Sequence, residues 1–201
     1  MSRWRGGTNA PRNEPQAGLN ERSGIMRLFF ALWPPESVAL ALAGQAEVLA
    51  QQYGGKATRC ETIHLTLAFL GEVDETLLPA AIQAAQAVRG THFVLTVDRL
   101  GYWRHNRLIW AGCAAPDMAL QHLVIALREQ LREVSIGCDE RLRFTPHLTL
   151  VRKVPGACRP VELATIEPVA WTCERFVLVC SRLTSAGSDY SMVAEFPLAS
   201  R

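Results

Sequence analysis

The sequence predicts an α+β fold built on antiparallel sheet. Short β-rich runs and helical periodicities interleave along the chain. Several consecutive strands are joined by turns too short for the crossover a parallel pair requires. The 201 residues are 49% hydrophobic and 20% charged, enough apolar material for one sizeable core or two small lobes.

The chain before Met26 is rich in Gly, Asn, Pro and Arg and has almost no apolar periodicity. Such a segment does not offset the entropy of ordering it, so residues 1–25 are expected to form a disordered tail. The segment lacks the apolar stretch of a secretory signal, and its prolines and glutamates argue against an amphipathic transit peptide. A strand over Arg27–Trp33 then meets Pro34-Pro35, which stop it and open a helix carrying Val38, Ala41, Leu42, Val48 and Leu49 at helical spacing. A second strand covers about Thr62–Leu70. Asp74 is placed to cap a helix whose face is Leu78, Ile82, Ala85 and Val88. His92–Leu100 and Leu108–Cys113 read as a hairpin with the polar tip YWRHNR.

The clearest helix begins after Pro116-Asp117. Leu120, Leu123, Val124, Leu127, Leu131 and Val134 fall on one stripe, with Arg128, Glu129 and Arg132 expected to face water. Strands follow at about Arg143–Val151, Arg175–Leu183 and Met192–Pro197, with a short helical turn near Val161–Ile166.

The formal net charge is +2. Arg3, Arg5, Arg12 and Arg22 against Glu14 and Glu21 place that excess in the tail, leaving 17 of 21 basic and 17 of 19 acidic side chains in residues 26–201. A neutral body lacks the electrostatic footprint of a duplex-binding protein. The longest apolar run, LFFALW, is far shorter than the roughly 20 residues of a membrane span. Six cysteines without a CxxC pair suggest buried reduced thiols and a cytoplasmic protein, with no metal centre or cofactor expected.

The informative feature is a repeat: ETIHLTLAFLG at 61–71 and FTPHLTLVRKV at 144–154 share the tetrapeptide HLTL, 83 residues apart. In an extended strand His64 and Thr66 point to one face, and Leu65 and Leu67 to the other. His147 and Thr149 repeat this against Leu148 and Leu150. An approximate two-fold would bring both polar faces together. Two imidazoles, whose unperturbed pKa lies near 6.5, are the minimum set for concerted acid–base catalysis at neutral pH. The threonine hydroxyls can hold an anion between them, and a phosphodiester suits that geometry. His92, His105 and His122 lack a partner motif and read as surface residues. Trp103, Arg104, Arg107 and Trp110 suit either a guide for a single strand of nucleic acid or a packed hairpin with a solvated tip.

The paired HLTL strands resemble the HxT signatures of the two-histidine phosphoesterase superfamily. With RLFFALWPP, TIHLTLAFLGEV, RLIWAG and TPHLTLVRKV in order, the chain from about Met26 onward is similar to its RNA 2′,3′-cyclic phosphodiesterase branch, historically called 2′-5′ RNA ligases. The resemblance implies one domain over 26–201, with two pseudo-symmetric lobes, roughly 26–115 and 116–201, flanking an active-site groove. It implies metal-independent hydrolysis of terminal RNA 2′,3′-cyclic phosphates to 2′-phosphates by a monomer, with 2′-5′ ligation as a further reaction. By carry-over, His64 is the proton donor, His147 the proton acceptor, and Thr66 and Thr149 the phosphate ligands.

Phe30 matches an aromatic that stacks on the terminal base in relatives, although burial statistics read it as core just as readily. Arg152 matches a substrate-contacting arginine, but its odd offset from His147 puts it on the opposite strand face unless the strand ends or bulges there. Relatives commonly carry an acidic residue where this chain has Trp33. Three other readings stay open: a silent RNA- or nucleotide-binding module of the same fold, a phosphodiesterase for a small cyclic nucleotide, and a metal site using both histidines.

Overall fold

The computed structural model describes residues 24–115, 117–139, 144–158, 163, 165–184 and 187–200. The expected tail lies outside them except at Gly24 and Ile25, as do Val161, Glu162 and Ala164 of the helical turn expected near Val161–Ile166, whose described residues Leu163, Thr165 and Ile166 are not helical. Ile25 already pairs with Asp74, so the first strand starts before Met26.

The elements run β1 (Ile25–Leu32), α1 (Glu36–Tyr53), β2 (Lys56–Ala57), β3 (Leu65–Asp74), α2 (Leu78–Ala87), β4 (Phe93–Val97), β5 (Arg99–Trp103), β6 (Leu108–Gly112), α3 (Met118–Glu133), β7 (Leu148–Arg152), β8 (Val169–Cys173), β9 (Arg175–Thr184) and β10 (Gly187–Pro197). All these strands pair antiparallel, which makes the α+β expectation correct. The main sheet has the order β10-β9-β1-β3-β7-β6-β5, with β2 also on β7, and β4 pairs β8 separately.

The sheet is two halves joined at one point. β3 and β7 share only the pair Leu65↔Leu148, after which β3 diverges and β2 takes its place along Ala57↔Val151 and Lys56↔Arg152. This narrow junction gives the two-lobed form. The lobes do not divide the chain at 115/116, because β9 and β10 add to the free edge of β1, whereas β5 and β6 add to β7. Each lobe therefore draws strands from distant parts of the sequence.

The alternation of the repeat decides which face is core. Leu65, Leu67, Leu148 and Leu150 are fully buried with the apolar stripes of the helices, including Leu42, Leu120 and Leu127. β1 is buried on both faces: Leu28, Phe30 and Leu32 join that core, while Phe29 and Ala31 join a smaller cluster with Val177 and Val179 on the other side. Asp117 caps α3 by accepting from the Ala119 amide at 2.6 Å. Asp74 caps as expected, accepting from the Thr76 amide at 2.9 Å, but one 3₁₀ turn precedes α2.

Other boundaries moved for local reasons. The run 93–100 breaks at Asp98, whose carboxylate accepts from the Ala114 amide at 2.7 Å, so β4 leaves for β8 and only β5 forms the hairpin with β6. That hairpin requires Gly101, because a Cβ there would collide with the Trp110 indole. The strand β8 was not expected, and β10 begins five residues before the expected Met192. The cysteines carry no disulfide, but burial is only partial: Cys113, Cys173 and Cys180 are buried, Cys60 and Cys138 half-buried and Cys158 exposed. Burial pushes the thiols of Cys113 and Cys173 up to about 11 and about 12.

Candidate active site

Both motif histidines sit immediately before their strands, which begin at Leu65 and Leu148. An antiparallel register centred on Leu65↔Leu148 relates the two copies by a local two-fold, setting each histidine toward the threonine of the other copy. His64, Thr66, His147 and Thr149 all line one open cavity of about 350 Å³.

The two rings are held in the same way. His64 Nδ1 lies 2.8 Å from the Thr62 carbonyl and His147 Nδ1 lies 2.8 Å from the Thr145 carbonyl, each two residues back. A carbonyl only accepts, so each Nδ1 donates, and each Nε2 remains to take or give a proton.

Their surroundings differ. His64 lies in an aromatic cage: Trp33 stacks on it at 5.2 Å between centroids and 9° between planes, Phe29 lies at 4.8 Å and Tyr190 meets it edge-on at 5.3 Å. Desolvation by this cage lowers His64 from 6.5 to about 4. Arg152 and His147 push the same way, against the hydrogen bond to Thr62. Against His147 stands Trp103, its ring edge-on at 4.4 Å. Trp33 thus occupies a position that bears directly on one of the histidines.

Arg152 reaches the groove through a bulge. Ile109 pairs with Val151 and Trp110 with Thr149, so Leu150 is an extra residue in β7. The bulge lets Leu150 and Val151 both face the core and returns Arg152 to the face of His147, where it lines the histidine cavity. The freed Leu150 carbonyl accepts from the Thr58 amide at 2.8 Å.

Phe30 does not line the site. Its side chain is fully buried in the main core, with Phe176 and Phe196 at 6.1 and 5.9 Å. The alternation of β1 turns Phe29, rather than Phe30, toward His64, and Phe29 is itself only 3% exposed, so it supports the imidazole instead of offering a free stacking face.

Sequence reasoning missed other lining residues. Arg128, expected to face water, is half-buried and lines the histidine cavity beside Phe144, with its Nε buried and without a partner among the described residues. Its place just off the apolar stripe of α3 was the only signal. Tyr190 lies before the expected Met192–Pro197 strand but within β10, whose extra length carries its ring to His64. Trp103 and Asn106 of the hairpin reach the cavity, whereas Trp110 is buried under Arg99, whose guanidinium lies 5.4 Å from its ring. Among the described residues no three His, Cys, Asp or Glu side chains converge on a metal position.

These features agree with what the chain is similar to. The family model for LigT-like phosphoesterases matches residues 32–110. An RNA 2′,3′-cyclic phosphodiesterase of Escherichia coli (strain K12) is 30% identical over 177 residues, covering 86% of this chain and 96% of that one. The enzyme of the same name from Thermotoga maritima is 31% identical, over 85% and 94%. Crystal structures of E. coli LigT, in apo form and complexed with 3′-AMP, superpose with TM-scores of 0.78 and 0.77 at 28% identity, covering 87% of this chain and 98% and 99% of those chains. The paired HLTL strands, the sheet that joins them and near-complete coverage of these relatives place the chain in the LigT-like family of RNA 2′,3′-cyclic phosphodiesterases.

Proposed function

We propose that this protein hydrolyses 2′,3′-cyclic phosphates at the ends of RNA to 2′-phosphomonoesters, using His64 and His147 as its acid–base pair. The observation that carries the reading is the matched pair of imidazoles, each with Nδ1 fixed to a backbone carbonyl and both lining one cavity with Thr66 and Thr149. His147 takes a proton from water through Nε2 as the water oxygen bonds to phosphorus. The P–O3′ bond breaks, and His64 gives its Nε2 proton to the departing 3′ oxygen. The Thr66 and Thr149 hydroxyls donate to the non-bridging oxygens, with Arg152 adding positive charge. A 5′-hydroxyl in place of water gives a 2′-5′ linkage by the same steps.

The donor role requires that His64 gain its proton with the substrate. With its pKa lowered to about 4 by the cage, the His64 ring is neutral at pH 7. A bound phosphate monoanion favours the imidazolium and offsets the charge of Arg152, raising the pKa again.

The Thr66 and Thr149 hydroxyls and the Arg152 guanidinium supply the charge stabilisation, so the reaction requires no metal. The six free thiols suit a reducing cytoplasm, and every group the reaction uses comes from one chain, so a monomer suffices. Enzyme dialysed against EDTA and given a short RNA ending in a 2′,3′-cyclic phosphate is expected to turn it over at the untreated rate and to leave the phosphate at the 2′ position. A product phosphorylated at 3′, or activity that returns only with added divalent cation, contradicts the reading.

A further inference from the structure

A second depression, of about 380 Å³, adjoins the histidine cavity and shares His64, Thr66 and Arg152 with it. Arg27, Lys56, Arg59, Arg152 and Lys153 line it, and among the described residues no carboxylate does. This local concentration stands in a body that carries equal numbers of basic and acidic side chains.

The local structure works against its own electrostatics to build that basin. Lys56 stands directly opposite Arg152 in the β2–β7 pair, and like charges in that relation destabilise an antiparallel ladder. Lys153 holds a left-handed backbone at φ 58°, uncommon for a side chain of its size. β2 reaches β7 through Gly55, at φ +98°, where a Cβ would lie 2.6 Å from the Arg152 carbonyl oxygen. Arg59 is fixed by Glu61 at 3.2 Å and by donation to the Ser188 carbonyl at 3.2 Å, and the Arg27 guanidinium lies 5.1 Å from the Phe69 ring centroid. Thr58, also in the lining, has a buried hydroxyl without a partner among the described residues.

We infer that the basin binds the phosphodiester linking the terminal nucleotide to the rest of an RNA chain, so that the preferred substrate is an oligonucleotide end rather than a mononucleotide. This rests on the cyclic phosphodiesterase reading, which puts the terminal phosphate between the histidines. The shared wall at His64, Thr66 and Arg152 then places the next phosphate of the same chain within the basin's reach. A nucleoside 2′,3′-cyclic phosphate has no group to put there.

The test compares kcat/KM for adenosine 2′,3′-cyclic phosphate, its 5′-phosphorylated form, and the dinucleotide ApA ending in a 2′,3′-cyclic phosphate. It uses the wild type and the double variant Lys56→Gln/Lys153→Asn, asparagine being tolerant of the left-handed backbone. The wild type is expected to favour the dinucleotide over the mononucleoside at least tenfold. The variant is expected to lose most of that preference while turning over the mononucleoside at the wild-type rate. The dinucleotide should also show the steeper salt dependence, by about 0.7 in log–log slope for one added phosphate contact. Equal kcat/KM in the wild type, a preference that survives in the variant, or a gain for the 5′-phosphorylated form without one for the dinucleotide overturns the inference.

If no substrate is turned over, the reaction assigned to the histidines fails. Calorimetric binding of adenosine 2′-phosphate and of ApA 2′-phosphate then decides the basin separately. Tighter binding of the dinucleotide that disappears in the variant supports it, and equal binding overturns it.

Discussion

His64 and His147 make the same hydrogen bond in unlike surroundings, and the difference lies in the three aromatic rings around His64. Trp33 covers one face of that imidazole, so replacing it with alanine admits water and should raise the pKa from about 4 toward 6.5. An NMR titration of the His64 ring reads this directly. In the wild type the same titration with adenosine 2′-phosphate bound should also move the pKa upward, since a donor must be protonated in the complex; a value that stays near 4 contradicts the donor role. Phe30→Ala should act on stability, with a loss of about 3–5 kcal/mol in denaturant unfolding and little change in KM at temperatures where the fold persists. A raised KM with unchanged stability would return Phe30 to the site. The convergence of His64, Thr66, His147 and Thr149 on one cavity was legible in the sequence because HLTL repeats. The choice between Phe29 and Phe30 was not, since both are apolar and β1 is buried on both faces, which leaves no polar alternation to set its phase.

At the scale of elements, the bulge at Leu150 and the Gly54-Gly55 turn deliver cations to the groove. Gly55→Ala places a methyl group against the Arg152 carbonyl at a backbone angle that suits glycine, so it should cost about 1 kcal/mol or more. Because it lifts β2 from β7, it should also weaken turnover of a dinucleotide substrate more than that of a mononucleoside. Wild-type stability in urea unfolding would show that the turn is not under this constraint. The sequence posed the Arg152 problem correctly, as a strand that must end or bulge, but the bulge depends on β6 pairing at Ile109↔Val151, a contact between distant segments. β4 was misassigned for a similar reason: its alternation identifies a strand but not its partner, and β8 lies 72 residues beyond its last residue.

For the whole molecule, the caged histidine links stability to pH. Folded His64 titrates near 4, whereas the unfolded chain takes up that proton near 6.5, so the unfolded state binds more protons between those values. The folded state therefore loses stability as pH falls from about 6.5 to about 4, by at most about 3 kcal/mol. Urea midpoints at pH 7 and pH 4.5 should drop further for the wild type than for His64→Gln, and parallel drops would show that the cage does not hold the ring neutral. The α+β class was readable because elements alternate and turns are short. The lobes were not readable as sequence blocks, because β9 and β10 return to pair beside β1.

The central claim is that one imidazole from each HLTL strand is required for turnover. The most direct measurement is single-turnover kinetics of a short RNA ending in a 2′,3′-cyclic phosphate with the wild type, His64→Ala and His147→Ala. Each substitution is expected to lower the rate by about 10²–10⁴-fold while the folded spectrum is retained. Wild-type turnover in either variant would contradict the account.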